Sequence, residues 1–266
     1  MNISTPISTL WDSKNNIELI KKYSNSFEGR PKTLGLYSSF NSQVETFHCD
    51  NIQPIHKLNN KDFEYIKRVV NTYPNLKVMS FHCAYNSLKC FKNKGKGYIE
   101  GYSYNRDELE NNMSTNIPKI KNILGNIKIL IENNNYFPTK AYDIVTEADF
   151  ISNLVYNNSI GFLFDQAHAE ITAHNQKIEY KDYINKLPLD KCVQIHLCKM
   201  GYNEQLYSKD FYLAEDYHLP PDSNEYTKLK NIISKCPELG YLTIEYYKNI
   251  EGLINSIKLL KQEIND

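Results

Sequence analysis

Side chains that can bind a metal ion stand at the ends of five short apolar runs in this sequence. Runs such as IKILIE and IGFLFD each finish on a carboxylate, and others finish on a histidine. Carboxylate and imidazole ligands together suit Zn, Mn or Fe. One such residue could equally be a helix-capping acid or a buried histidine, but the same position in five runs indicates a metal site. The five residues are His82, Glu132, Asp165, His196 and Glu245.

Two local motifs add candidate ligands. His168 follows Asp165 by three residues, where we expect the strand to give way to a loop. Asp216 and His218 are two residues apart in a segment that we expect to be an irregular loop. Residues i and i+2 of an extended chain point the same way, so this pair could bind one ion. Eight candidates exceed what one ion needs, and the sequence therefore predicts more than one metal.

A further histidine, His48, ends another β-like run and could approach the same face.

The positions of all these residues depend on the strands and helices that carry them. We predict strands at 2–8, 33–37, 44–48, 77–81, 127–131, 160–164, 192–195 and 241–244. We predict helices at 16–24, 61–72, 107–124, 147–156, 180–186, 224–234 and 250–262.

The alternation of strands and helices indicates a parallel sheet in the α/β class. We predict a TIM-type (β/α)8 barrel that forms one domain over residues 1–266, with an irregularity near the fourth strand at 95–105. In such a barrel the carboxyl ends of all strands open onto one face, which carries the active site. The strand-end residues should therefore converge on one pocket.

Composition excludes several classes of protein. Lys plus Arg and Asp plus Glu are both 31, which makes broad electrostatic capture of nucleic acid or acidic lipid unexpected. No apolar run approaches the roughly 18 residues of a membrane span, and residues 1–16 do not resemble a signal peptide. The six cysteines form no CxxC motif. We therefore expect a cytoplasmic protein with free thiols and no membrane or nucleic-acid partner.

The strand-end set resembles the xylose-isomerase-like TIM barrel superfamily, in three of its branches. The stretches HCAYNSL (82–88) and DQAHAEITAHN (165–175) are similar to the metal motifs of the endonuclease four class of abasic-site nucleases. The quartet of Glu132, Asp165, His196 and Glu245, with His168 beside it, resembles the single-metal ketose epimerases and isomerases.

The longest resemblance is to a third branch, the multinuclear non-heme iron-dependent oxidative enzymes of the methanobactin-biosynthesis type. These enzymes modify cysteines of ribosomal peptides. The similar stretches lie in the second half of the chain, and LPLDKCVQIHL and EN-x-x-Y are the more specific pieces. They are ILIENNNY (129–136), TEADFI (146–151), FLFDQAH (162–168), YINKLPLDKCVQIHL (183–197), DYHLPPD (216–222) and LTIEYY (242–247).

This resemblance implies two or more Fe ions that activate O2, with the thiolate of a peptide cysteine or small thiol at an open metal position. It also implies that Glu132 and Glu245 are carboxylate ligands that can bridge, and that Glu132, Glu245 and His168 take part in catalysis. A partner protein could deliver the peptide. The ligand set would be His82, Glu132, Asp165, His168, His196, Asp216, His218 and Glu245.

Other functions remain open at this stage. His168 stands where the oxidative branch usually has Asn, which favours the isomerase and nuclease branches. A sugar isomerase or epimerase would use one metal such as Mn, with Glu132 or Glu245 moving a proton. A phosphodiesterase would use Zn ions to clamp the attacking and leaving oxygens. The non-enzymatic alternative is a barrel that holds a metal or a peptide without chemistry.

Overall fold

The computed structural model of the chain describes residues 1–93, 96–208 and 211–265. Twelve strands lie in these ranges. They are β1 Asn2–Pro6, β2 Ser26–Gly29, β3 Val44–Cys49, β4 Val78–His82, β5 Ser87–Asn93, β6 Lys96–Ser103, β7 Lys128–Glu132, β8 Gly161–Asp165, β9 Cys192–Leu197, β10 Lys199–Ser208, β11 Phe211–Leu219 and β12 Tyr241–Ile244.

Eight of these strands pair in parallel and close into a barrel in the order β1-β12-β9-β8-β7-β4-β3-β2. The helices that connect and cover the strands confirm the predicted (β/α)8 barrel. They are α1 Lys14–Tyr23, α2 Asn60–Thr72, α3 Arg106–Leu124, α4 Ala148–Asn158, α5 Gln166–Gln176, α6 Tyr180–Ile184, α7 Ser223–Ile233 and α8 Ile250–Asn265. None of the described helices combines the length and the apolar character that a membrane crossing requires.

Two antiparallel hairpins stand outside the barrel sheet. The pair β5–β6 follows β4, and the pair β10–β11 follows β9, so both extend from the carboxyl ends of barrel strands. A small apolar cluster that includes Phe137, Tyr142 and Leu213 connects them above the barrel. We expected an irregularity at 95–105. Residue 95 lies outside the described residues, and Lys96–Ser103 form the second strand of a hairpin. The fourth barrel strand, β4, pairs regularly on both sides.

Three local predictions were wrong. Residues 33–37 are not a strand; the second barrel strand is Ser26–Gly29, a shorter run that begins seven positions earlier in the chain. The segment after Asp165 is helix α5 rather than a loop, because the Asp165 carboxylate caps it by accepting the His168 backbone N–H at 2.7 Å. The Asp216-x-His218 pair lies on strand β11 rather than in an irregular loop.

The amino-terminal end of the barrel is packed closely around Gly161. A Cβ atom at this position would lie 2.4 Å from Leu130 Cδ2 and 3.2 Å from Val193 Cγ2. Both neighbours are buried side chains, so neither can move freely. The strand therefore requires a glycine at its first residue.

We expect Gly161→Ala to lower the free energy of unfolding by about 1–3 kcal/mol, the usual cost of overpacking a core. The measurement is urea denaturation. Gly240→Ala is the matched control, because its Cβ would meet only the Val193 carbonyl oxygen at 3.7 Å. If both variants unfold at the wild-type urea concentration, this description of the packing is incorrect.

Candidate metal centre

The five strand-end residues lie at the carboxyl ends of five strands that are neighbours in the barrel. The register aligns His82 with Glu132 on β4 and β7, and Asp165 with His196 on β8 and β9. Glu245 directly follows β12, which pairs with β9. The register steps by two residues between β7 and β8, where Glu132 pairs with Leu163, and between β9 and β12, where Thr243 pairs with His196. The carboxyl ends of all five strands nevertheless open onto one mouth of the barrel, and the contacts below show that the five side chains meet there.

Glu132 is the central carboxylate of the site and is only 2 % exposed. Its Oε2 lies 2.7 Å from His82 Nε2 and 3.5 Å from His48 Nε2. Its Oε1 lies 3.3 Å from His196 Nδ1 and 3.8 Å from His168 Nδ1. The two oxygens of one side chain therefore face two different groups of histidines.

Glu245 occupies the opposite side of the same centre. Its Oε1 lies 3.3 Å from His196 Nδ1 and accepts a hydrogen bond from the Tyr247 hydroxyl at 3.1 Å. Its Oε2 lies 3.6 Å from His218 Nε2. Glu245 thus connects the buried part of the site with the hairpin β10–β11.

Asp216 and His218 of β11 meet His168 of α5 at the outer edge of the site, which we call the rim. Asp216 Oδ2 lies 3.2 Å from His218 Nε2 and 3.4 Å from His168 Nε2. His168 Nδ1 donates to the Asn133 carbonyl oxygen at 2.9 Å, which leaves Nε2 turned toward Asp216. The side chains of Asp216 and His218 are 15 % and 32 % exposed, so this part of the site is more open. His218 has φ +45°, a left-handed conformation on a strand.

Three residues of the site were absent from the predicted ligand set: Glu28, Arg30 and His48. Glu28 Oε2 lies 3.0 Å from His196 Nε2, and the Arg30 guanidinium contacts both Glu28 and Glu245. The sequence did indicate that His48 could approach the site, since it stands at the end of a β-like run. Glu28 had no such signal, because its strand was not predicted.

The described residues contain three groups whose ligand atoms lie within 4.8 Å of one another. These groups are His48, His82 and Glu132; Glu132, Asp165 and His168; and Glu28, His196 and Glu245. Within these groups, three buried atoms form no hydrogen bond, namely Glu28 Oε1, Asp165 Oδ2 and His196 Nδ1. Such orphaned atoms are costly unless a cation or water satisfies them, so these residues fit a divalent metal.

A cavity of about 420 Å³ opens above these groups. Its walls include the candidate ligands and, on the β1 and β2 side, Thr9, Arg30, Lys32 and Thr33. This volume is in the range of small-molecule sites and accommodates a side chain of a peptide. The site is therefore accessible from the carboxyl face of the barrel.

The electrostatics of the site follow from burial and from crowded charges. Burial, together with the nearby carboxylates of Glu132 and Glu245, raises the pKa of Asp165 to about 7 although His168 opposes this. Burial alone would raise the pKa of Glu28, but Arg30 and His196 lower it to about 2. Buried carboxylates crowded together in this way are typical of a site that binds a cation.

We expect metal affinity to fall as the pH falls below about 7. In the metal-free protein Asp165 then carries a proton that an ion must displace, because its pKa is about 7. One displaced proton corresponds to about a tenfold weaker apparent affinity per pH unit. Calorimetric titration with Mn²⁺ at pH 5.5, 6.5 and 7.5 checks this. An affinity that does not change over this range would contradict it.

Solved structures define the class of the protein through its fold. An IOLI protein with a bound zinc atom matches with a TM-score of 0.59 and 10% identity, over 99% of this chain and 96% of that chain. A xylose isomerase-like TIM barrel protein from Mycobacterium smegmatis in complex with magnesium gives 0.62 and 8%, over 99% and 96%. Endonuclease IV from Thermus thermophilus gives 0.58 and 10%, over 100% and 99%. These likenesses show that the chain has the (β/α)8 fold that these solved structures share.

Within this class the chain belongs to the RiPP precursor modification enzymes of the MbnB/TglH/ChrH family, whose model matches residues 51–260. It is also 27% identical over 119 residues to the UPF0276 protein of Acaryochloris marina, and 27% identical over 124 residues to that of Vibrio parahaemolyticus. These matches cover 45% and 46% of this chain, and 41% of each relative's length. The resemblance proposed from the sequence is confirmed.

Proposed function

We propose that this protein is a metal-dependent enzyme that uses two or more non-heme iron ions and O2 to modify a cysteine of a ribosomal peptide. Membership of the family of RiPP precursor modification enzymes supports a peptide substrate. A small thiol is the simpler alternative substrate. A partner protein that delivers the peptide, and a cytoplasmic location with free thiols, belong to the same proposal.

One observation supports more than one metal: Glu132 presents each of its oxygens to a different set of histidines. Oε2 faces His48 and His82, and Oε1 faces His196 and His168. Glu132 would therefore help to hold more than one ion. Asp216 and His218, together with Nε2 of His168, would supply ligands for a further ion at the rim.

The nitrogen and oxygen ligand set is compatible with Fe, and also with Mn or Zn. Bound iron would supply the redox chemistry with O2 and an open position for a thiolate. The chain itself would hold the ions through buried strand ends and keep the cavity shaped above them. With no ion at the rim, His168 would hold or release a proton at Nε2, because its Nδ1–H is engaged by the Asn133 carbonyl oxygen. With an ion there, the same nitrogen would be its ligand.

The test is anaerobic purification after growth with iron, followed by metal analysis and an absorption spectrum. We expect at least two irons per chain and, on adding a cysteine-containing peptide and air, a mass change confined to the cysteine. If the peptide is modified only after a partner protein is added, the delivery role is supported. A folded, iron-loaded protein that leaves every cysteine peptide and small thiol unchanged would contradict the proposal.

A second candidate is supported by His168, an imidazole where the oxidative branch usually has Asn. A D-psicose 3-epimerase from Clostridium cellulolyticum matches the fold with a TM-score of 0.55 and 10% identity, over 100% of this chain and 92% of that chain. A one-metal isomerase would retain a single Mn or Co ion and would interconvert ketoses.

A Zn-dependent nuclease is the remaining alternative. It would bind abasic DNA tightly, and its affinity would depend steeply on salt concentration.

A further inference from the structure

One of the three candidate ligand groups already contains a cation that the chain supplies. The guanidinium of Arg30 contacts a carboxylate oxygen of Glu28 and the Oε1 atom of Glu245. The side chain of Glu28 is fully buried, and that of Glu245 is 4 % exposed. Ligand atoms of the two carboxylates lie within 4.8 Å of each other. Two buried carboxylates this close need a positive charge between them.

Glu28 also determines which ring nitrogen of His196 is free to bind a metal ion. Its Oε2 lies 3.0 Å from His196 Nε2, and the same oxygen accepts a hydrogen bond from Gln194 Nε2 at 2.5 Å. With the proton on Nε2 toward Glu28, the lone pair is on Nδ1. That atom lies 3.3 Å from both Glu132 and Glu245, so it is directed at the proposed metal ligands.

We propose that Arg30 is the permanent cation of the group formed by Glu28, His196 and Glu245, and that Glu28 and Arg30 are positioning residues. Arg30 takes the place of an ion between the two carboxylates. Glu28 holds His196 with Nδ1 toward the centre. This inference rests on the proposed metal binding. It keeps an ion out from between Glu28 and Glu245, and it leaves His196 Nδ1 for an ion held together with Glu132.

The first experiment counts ions. Wild type, Arg30→Ala and Arg30→Lys are each equilibrated with excess Mn²⁺ without air, and bound Mn²⁺ per chain is measured. We expect Arg30→Ala to bind one ion more than wild type, because two buried carboxylates lose their guanidinium. Arg30→Lys keeps the charge and should match wild type. A purely structural role for Arg30 would not raise the count.

An unchanged count in folded Arg30→Ala overturns the proposal, and so does an extra ion in Arg30→Lys. If Arg30→Ala does not fold, Arg30→Gln takes its place, with the same expected increase. The proposed metal binding fails in a different way, since wild type itself would then bind no Mn²⁺. The two failures are therefore distinguishable.

The second experiment tests Glu28 through Co²⁺ affinity and the visible absorption spectrum of the bound Co²⁺. Glu28→Leu removes the acceptor of the His196 Nε2 proton, and we expect affinity to fall by about 10–100-fold with a changed spectrum, as for other residues that orient a metal ligand. Glu28→Gln keeps an acceptor oxygen and should lose less. Glu45→Gln is the control, because Glu45 pairs with Lys77 at the opposite end of the barrel.

Wild-type affinity and spectrum in folded Glu28→Leu would overturn the orienting role. So would an equal loss in Glu28→Gln. If Glu28→Leu does not fold, Glu28→Asp replaces it, because the shorter side chain withdraws the carboxylate from Nε2 and should lower affinity in the same way.

Discussion

Glu132→Ala should remove more bound metal than any other single substitution in the centre. Its two oxygens face separate sets of histidines, so one change takes a ligand from two ions. Activity should fall by at least about a hundredfold, the lower end of what loss of one preorganised electrostatic group costs. The measurement is metal per chain after purification with excess iron, paired with an activity assay.

Asp165→Ala is the matched comparison for Glu132→Ala, because Asp165 belongs to only one of the two ligand groups that contain Glu132. It should lose one ion and leave the ion near His48 and His82 in place. Full metal occupancy in both variants would show that these carboxylates are not metal ligands.

The double change Asp216→Ala with His218→Ala should lower the metal count while at least one ion stays tightly bound. These two side chains lie on a hairpin strand and are partly exposed, whereas Glu132, Asp165 and His196 are buried at barrel strand ends. Ligands on a less rigid element are less preorganised, so the rim ion should bind more weakly. Equilibrium dialysis against graded Fe²⁺ without air measures this.

Activity of the double variant separates the candidate functions. It should fall strongly if the chemistry needs the rim ion, and only modestly for a one-metal isomerase. Glu215→Ala is the control on the same strand, since Glu215 pairs with Asn203 of the hairpin. A metal-to-protein ratio equal to that of wild type in the double variant would remove the pair from the ligand set.

The strand-end residues could be predicted because each finishes a buried apolar run. In a barrel of parallel strands, the place of a residue along its strand determines at which end of the barrel it lies. Glu28 could not be found this way. Its strand, Ser26–Gly29, contains a single large apolar residue, Phe27, and so has no recognisable period. The closed barrel and its register, rather than any local pattern, place Glu28 beside His196.

Helix α5 was predicted as a loop for a related reason. Nine of its eleven residues are buried, including Gln166, His168 and Thr172, so it has no polar face and no amphipathic pattern to detect. The pair Asp216 and His218 was assigned to the wrong kind of element. The two side chains nevertheless meet as the two-residue spacing suggested, since Asp216 Oδ2 lies 3.2 Å from His218 Nε2.

The left-handed backbone of His218 makes hairpin order and ion occupancy interdependent. A residue other than glycine at φ +45° occupies a conformation that costs about 1–3 kcal/mol unless its surroundings hold it there. Contacts of Nε2 with Asp216 and Glu245 are what hold it. An ion bound to these side chains would select that geometry from the alternatives open to the strand end. An ion there would thus offset part of the backbone cost that this strand end carries.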